Sequence, residues 1–363
     1  MAHNMRTLWG LSKGVINNTL FRNAVFNASN GRYLFTPTAL KIVEYEKERH
    51  LTRAQYLGVE ETFRGKMSTI CDHSTGKVYM EDLKAMLYIA QKDDMPLLVK
   101  MIVKYNETES HKFVFGPVIM RALYFVDDPK TALELYNKPE LSNLFTKHAA
   151  QTILMTLLYD HAMYDSVIDV WNKIYVDGQD GTVGSRSTRL LLFAALAKKN
   201  TPDALEMART TWQKMIELRT FITREYSFYI YLLLKHDKAE EALTIKTNME
   251  LRGLAHTHLK ILALLQLQMY DEVYEELHKI IELSGNDKSL IFRDVFNRVA
   301  NISDELEVKQ RIQNALSLLP RGNLGRSIVD NFIFTPMRNE IGREKNARTF
   351  NQTFSEGLLS KAI

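Results

Sequence analysis

Apolar positions recur at helical spacing along most of this chain, and short polar breaks divide them into pairs of helices. The stretch 147–177 shows the pattern most clearly, because a polar break at 160–162 separates two apolar helices. The first of these helices carries its apolar side chains on one face, at Ala149, Ile153, Leu154, Leu157 and Leu158. This spacing predicts a helix–turn–helix hairpin.

The hairpin is one copy of an internal repeat. An apolar pair recurs in the second helix of each unit, at steps of 35, 37, 38 and 31 residues: Ala132-Leu133, Val167-Ile168, Ala204-Leu205, Ala242-Leu243 and Val273-Tyr274. A two-helix unit of this length cannot bury its apolar face alone, so neighbouring units must stack. The sequence therefore predicts an all-α fold, an α-α superhelical solenoid of helix hairpins.

The pattern also divides the chain into segments. We expect N-terminal capping helices in 33–77, with helices near 36–49 and 59–70, helical repeats in 78–319 and a basic C-terminal tail in 320–363. Within the repeats, the predicted helix pairs cover about 82–105, 112–138, 145–177, 185–220, 222–252, 254–283 and 287–319. Residues 1–32 contain arginines and many Ser, Thr and Asn but no acid, which is typical of a mitochondrial targeting segment. The alternative is an ordinary disordered or capping N-terminus.

Composition narrows the class of protein. The 363 residues contain 8 prolines and 16 glycines, and no alternating strand pattern stands out, which favours an all-α chain. A net charge of +4 falls short of the strongly basic signature of an unselective nucleic-acid binder. The single cysteine, Cys71, excludes an internal disulfide and indicates a reducing compartment. Apolar runs such as 261–267 are too short to span a membrane, so we expect a soluble protein.

No motif in the sequence predicts catalysis, a cofactor or a metal. The chain contains no glycine-rich phosphate loop and no nucleophile elbow. His256 and His258 lie two positions apart, which places them on different sides of a helix, so a shared metal is not expected. We therefore expect a protein that is not an enzyme and that needs no cofactor.

Basic residues recur near the start of each first helix, at Lys112, Lys147, Arg186, Arg189, Arg224 and Lys260. If the first helices of successive repeats line one wall of the solenoid, these side chains form a row of cations along that wall. Such a row suits the phosphates of single-stranded nucleic acid. The alternative reading is solvated charge at helix ends. In the tail, Phe332, Phe334, Phe350 and Phe354 alternate with arginines and can either stack on bases or anchor the tail to the helices.

The hairpins resemble pentatricopeptide repeats, whose second helices carry a segment like Glu240-Glu241-Ala242-Leu243. The closer resemblance, from about Tyr33 onward, is to the mitochondrial pentatricopeptide repeat domain protein 2 family. Short segments in the same order carry it: Arg32-Tyr33-Leu34, Glu61-Thr62-Phe63-Arg64, Phe115-Gly116-Pro117, Ile153-Leu154-Met155, Arg348-Thr349-Phe350 and Leu358-Leu359-Ser360. The resemblance implies a mitochondrial matrix protein that acts in RNA maturation, and thereby in respiratory chain function, without catalysis of its own.

In the wider repeat family, a base is read by one side chain near the start of a first helix and another at the end of the same repeat. The resemblance places the first member at Thr152, Arg189, Ser227 and His258, and at Pro117, which cannot bond to a base through its side chain. The second member falls on Gly184, Ile222 and Gly253, none of which offers an amide or carboxylate. We therefore expect shape, stacking and phosphate contacts to dominate binding to single-stranded mitochondrial RNA.

Two other functions remain open at this point. Hairpins of this architecture also form protein–protein scaffolds, here for an RNA-processing nuclease or the mitochondrial ribosome. An RNA-processing enzyme would need a cluster of metal-binding carboxylates outside the repeats. The segment after Pro320 offers only Asp330, Glu340, Glu344 and Glu356, so this third function ranks last.

Overall fold

A computed structural model describes residues 35–108, 113–177, 184–218, 220, 223–248, 254–284, 293–302, 307–317 and 327–329. Every regular element within these ranges is helical. The predicted targeting segment 1–32, the cation Lys112 and nearly all of the tail 320–363 lie outside the described residues.

The helices follow one another in short antiparallel pairs. In chain order they are α1 Ile42–Tyr56, α2 Glu60–Asp72, α3 Met80–Ile89, α4 Met95–Thr108, α5 Gly116–Phe125, α6 Pro129–Asn137, α7 His148–Asp160, α8 Tyr164–Asp177, α9 Arg186–Lys199, α10 Pro202–Glu217, α11 Thr223–Lys235, α12 Ala239–Asn248, α13 Leu254–Gln266, α14 Tyr270–Ser284, α15 Arg293–Ala300 and α16 Glu307–Ser317. Two 3₁₀ segments, Lys92–Asp94 and Pro139–Phe145, lie between helices.

The odd-numbered helices stack on one another in succession, from α1 to α15. From α6 to α12, each even-numbered helix packs against the odd helix of its own pair and against the odd helix that follows. The odd helices thus form a continuous wall, with the even helices on one side of it. This arrangement confirms the predicted all-α, α-α solenoid.

One turn geometry joins the two helices of successive pairs. A residue with positive φ ends the first helix each time, at Asp127, Ala162, Asn200, Asp237 and Gln268. In four of these turns the next residue donates its backbone N–H to a carbonyl five residues earlier, as Met163 does to Leu158 at 3.0 Å. This pattern is the Schellman motif, which satisfies the last carbonyls of a helix and turns the chain sharply. The repeat read from the sequence is therefore also a repeat of backbone conformation.

The N-terminal half departs from the predicted boundaries in two places. The helix expected near 36–49 begins only at Ile42, because the chain first forms a turn in which Lys41 has φ 58°. The 3₁₀ segment Pro139–Phe145, which the periodicity did not predict, fills the space between α6 and α7. Its backbone approaches α5 so closely that a Cβ on Gly116 would lie 2.0 Å from the carbonyl oxygen of Leu144. Glycine is therefore required there.

The odd helices are buried on all sides in the middle of the solenoid. Residues 150–159 of α7, 188–197 of α9 and 225–234 of α11 are all buried. A helix that is apolar all round is expected to be surrounded by protein. The aromatic and leucine-rich stretch 228–233 accordingly lies between neighbouring repeats, as its composition predicted.

The buried apolar side chains form two separate cores that meet at α13. Leu259 and Ala263 on one face of α13 belong to the first core, which extends back to α1. Ile261 and Leu265 on the other face belong to the second core, which α13–α16 share. None of the helices in the described ranges is long and apolar enough to cross a lipid bilayer.

Candidate nucleic-acid interface

Adjacent odd helices run parallel and start at the same edge of the solenoid. Near the starts of α9 and α11, Arg189 and Glu225 are in direct contact. At the opposite edge, His161 Nε2 after α7 lies 2.7 Å from Asp127 Oδ1 after α5, and Gln266 at the end of α13 donates to the Leu234 carbonyl of α11 at 2.6 Å. The positive ends of the helix dipoles therefore point toward one common edge.

Three of the predicted cations lie at this edge, and we call Lys147, Arg186 and Arg224 the cation row. Lys147 immediately precedes α7 and is exposed. Arg186 is the first residue of α9 and Arg224 the second of α11, and both are half-buried. Because packed helices lie about 8–10 Å apart, the three successive helix starts that carry the row are spaced at about that interval. Helix N-termini and side-chain cations at one edge together favour the approach of anions.

Arg189 does not belong to an exposed row. Its Nε donates to Glu225 Oε1 at 2.8 Å, and its guanidinium also donates to the carbonyls of Gly184 at 3.2 Å and Thr220 at 2.8 Å. The Arg189 side chain is 8% exposed and that of Glu225 is fully buried. Arg189 is thus hydrogen-bonded to the segments that precede α9 and α11 and to Glu225 in the next repeat, all in the interior of the solenoid. The sequence showed the recurring cation but not the carboxylate partner one repeat away.

Lys260 is also engaged within the protein. Its Nζ lies 2.7 Å from Glu276 Oε1, and Lys279 Nζ lies 2.8 Å from the same oxygen. Burial alone would raise the pKa of Glu276, but the hydrogen bonds and charges of the two lysines outweigh burial and hold that pKa below its usual value. Lys260, whose side chain is 34% exposed, is therefore held by an ion pair within its own helix pair, and we leave it out of the cation row.

The positions expected to read bases are inside the wall. Thr152, Ser227 and His258 are 9%, 2% and 0% exposed. A base edge cannot reach these side chains in this conformation, and their role in reading RNA stays a prediction. Of the second members, Gly184 has φ 58° and lies against Trp171, while Ile222 and Gly253 lie outside the described residues. The sequence missed this burial because Thr, Ser and His side chains are compatible both with the surface of a groove and with the interior of a wall.

A groove of about 680 Å³ opens on the side of the even helices, between α8 and α10. Tyr175, which is 43% exposed, and Met207 line it together with Asp203 and Glu206. The groove also contains Lys214, whose Nζ lies 3.3 Å from Glu217 Oε2. Carboxylates dominate its rim, so the groove repels phosphates.

No group of three or more potential metal ligands occurs among the residues that the structure describes. The polar features described above are cations at helix starts and buried polar contacts between repeats. This arrangement suits binding to an extended partner.

These features define the class as a helical-repeat protein of the α-α solenoid type. The chain is 26% identical over 302 residues to "Pentatricopeptide repeat-containing protein 2, mitochondrial" of Mus musculus, covering 80% of this chain and 75% of the relative. Its identity to the human protein of the same name is 24% over 300 residues, with 80% and 74% covered. The protein of that name from Xenopus laevis is 24% identical over 221 residues, covering 59% and 56%.

The similarity to these mitochondrial pentatricopeptide repeat proteins confirms the resemblance predicted from the short sequence segments. No protein-family model and no solved structure matches the chain.

Proposed function

We propose that this chain is a non-catalytic RNA-binding protein of the mitochondrial matrix that acts in RNA maturation and thereby supports respiratory chain function. The observation that carries the proposal is the cation row at the common edge of the odd helices. The similarity of the chain to proteins named as mitochondrial pentatricopeptide repeat proteins supports both the proposed location and the proposed RNA ligand.

The chemistry of the edge favours contact with the RNA backbone rather than with base edges. Lys147 is exposed and Arg186 and Arg224 are half-buried, whereas the predicted base-reading side chains are buried. Phosphate contacts release counterions, so binding weakens linearly on a logarithmic scale as salt rises. The proposed interface therefore binds single strands with modest dependence on sequence and strong dependence on salt.

The test compares charge reversals at two kinds of helix start. One variant carries Lys147→Glu, Arg186→Glu and Arg224→Glu in the cation row. The control carries Lys130→Glu and Lys238→Glu, two exposed lysines at the starts of the even helices α6 and α12. Each variant is titrated with a labelled, unstructured single-stranded RNA at several salt concentrations, and circular dichroism verifies that its helices are intact.

We expect the row variant to bind at least about tenfold more weakly, with a salt slope reduced by roughly 0.7 for each lost phosphate contact. The control should bind within about twofold of the unaltered protein, because isolated surface charges contribute little. Equal loss in both variants, or no loss in either, would refute the row as the RNA interface. Crosslinking in intact mitochondria, followed by sequencing of the attached RNA, tests the proposed location and identifies the transcript.

A protein scaffold is the second candidate, and the groove between α8 and α10 favours it. Its acidic rim complements a basic protein segment, and Tyr175 offers an accessible aromatic contact stacked on Trp171 with 6.3 Å between ring centroids. An RNA-processing nuclease or a mitochondrial ribosomal protein could supply such a segment. Co-purification that survives ribonuclease treatment but is lost with Tyr175→Ala and Glu206→Lys would support this candidate, and loss on ribonuclease treatment alone would argue against it.

A further inference from the structure

A short C-terminal segment returns to the odd-helix wall. We call residues 327–329 the plug segment; in it Ile328 is 0% and Val329 is 2% exposed. Both side chains belong to the first apolar core, which extends from α1 to α13. The last helices, α15 and α16, contribute to the second core instead. Ile328 and Val329 therefore pack in the core of the earlier repeats and not in the core of the last ones.

One carboxylate fixes the plug segment in place. The backbone N–H of Ile328 donates to Asp294 Oδ2 at 2.8 Å, while the Tyr231 hydroxyl donates to Asp294 Oδ1 at 3.1 Å. Tyr231 lies in α11 and Asp294 near the start of α15. A charged acceptor makes stronger hydrogen bonds than a neutral one. Asp294 thus joins three parts of the chain.

The contact between α11 and α15 shows on which face the plug segment lies. These helices are separated by α13 in the wall, so their axes would be about 16–20 Å apart in a flat row. A tyrosine and an aspartate can close that gap only where the wall curves inward. Tyr231 and Asp294 therefore meet on the concave face, and the plug segment, bonded to the same carboxylate, lies there too.

From this geometry we propose that the plug segment occupies the concave face next to the edge that carries the cation row, and must be released before an RNA strand bound at that row can lie across the face. The proposal rests on the proposed function for the identity of the ligand. Ser227, one of the buried side chains expected to read bases, lies one helical turn before Tyr231 on α11, the residue that shares Asp294 with the plug segment. If only a fraction of the molecules is open, the apparent affinity falls by that fraction.

The experiment opens the face in the full-length chain. The double variant Ile328→Asp and Val329→Asp places two carboxylates in an apolar site beside Asp294, which should expel the segment. Amide hydrogen exchange at Ile328 and Val329 reports release without any RNA. Titration with a labelled, unstructured single-stranded RNA then reports access to the concave face.

Two truncations provide a matched comparison should the double variant perturb folding. One chain ends at Arg326 and lacks the plug segment, and the other ends at Asn331 and keeps it. Both lack nearly the whole basic tail, so a difference between them belongs to the plug segment and its immediate neighbours. Circular dichroism and the exchange of α9 amides verify that the repeats remain folded in each chain.

We expect slow amide exchange at position 328 in the unaltered protein and fast exchange there in the double variant. RNA affinity should rise by about tenfold in the double variant relative to the unaltered protein, and in the chain ending at Arg326 relative to the chain ending at Asn331. RNA added to the unaltered protein should accelerate exchange at Ile328. Fast exchange in the unaltered protein overturns the plug whatever the RNA result. Equal RNA affinity in all variants overturns the plug but leaves the proposed function standing. If no variant binds RNA, the proposed function fails and the gating role fails with it. Slow exchange at Ile328 would then show that the segment is docked as described and that the RNA ligand was the wrong premise.

Discussion

Arg189 and Glu225 form an ion pair inside the solenoid, with Nε and Oε1 2.8 Å apart. The pair joins the starts of two successive odd helices, and Arg189 also bonds to the carbonyls that precede α9 and α11. A buried ion pair gains little over a well-packed apolar pair, but removal of one partner leaves an uncompensated charge. The pair thus serves chiefly to specify how one repeat sits on the next.

We expect Arg189→Met to lower the free energy of unfolding by about 3–5 kcal/mol, because the buried Glu225 carboxylate would lose the charge of the Arg189 guanidinium. Replacement of both residues, by Arg189→Met and Glu225→Leu, should recover most of that loss. Urea unfolding of the single and double variants completes the thermodynamic cycle. Additive losses in the double variant would contradict a direct coupling between the two side chains.

A second prediction contrasts two glycines. Gly184 has φ 58°, and a Cβ added there would lie 2.7 Å from the Trp171 ring, whereas Gly65 in α2 has open space around it. Gly184→Ala should destabilise the protein by at least about 1–2 kcal/mol through backbone strain and the clash with the indole. Gly65→Ala should stabilise it by about 0.5–1 kcal/mol, since alanine favours a helix interior. Thermal unfolding measures the change in stability of both variants. Changes of the same sign would contradict the view that only Gly184 is required by its backbone conformation and its contact with Trp171.

The turns between paired helices provide a third prediction. Ala162 has φ 56°, a conformation that costs a residue with a Cβ about 1–2 kcal/mol. Ala162→Gly should therefore raise the stability by up to that amount. The same substitution at the exposed Ala54 within α1 should lower the stability by about 0.5–1 kcal/mol. Melting temperatures of the two variants test the contrast, which fails if Ala162→Gly is also destabilising.

Glu276 predicts how stability depends on pH. Its folded-state pKa is lowered, since the hydrogen bonds from Lys260 and Lys279 outweigh the cost of burial. The stabilisation is therefore fully present above the unfolded pKa of about 4.5 and is lost as the pH falls through the lower folded value. Glu276→Gln should lower the urea midpoint at neutral pH, and this difference should shrink in acid. Glu275→Gln, which removes the adjacent exposed carboxylate, is the control and should have a smaller effect.

The sequence predicted the repeat because its markers are local. Thr201-Pro202-Asp203 is a sequence typical of a helix start, and α10 begins there: the Thr201 side chain accepts from the Ala204 N–H at 3.2 Å. The apolar pairs fall four or five residues after each positive-φ turn residue, so the apolar periodicity and the turn positions mark the same repeating unit. A local pattern of this kind needs no knowledge of the rest of the chain.

The candidate interface was harder to predict because it depends on contacts between repeats. Arg189 and Lys147 both belong to the basic residues that recur near the starts of the first helices. Arg189 is nevertheless buried against Glu225, whereas Lys147 is exposed. Only the position of the next repeat decides between these outcomes. The plug segment was beyond sequence reasoning for the same reason, since Ile328 meets Asp294 through a curvature that no local pattern encodes.

The division of the interior at α13 gives the molecule two regions of unequal size. Helices α14–α16 share only the smaller core, so on heating they can melt while the larger part stays native. Ile328 is anchored through its side chain in the larger part, but its hydrogen-bond acceptor Asp294 belongs to the smaller one. Loosening of the last three helices would consequently weaken the hold on the chain end before the middle of the solenoid gives way.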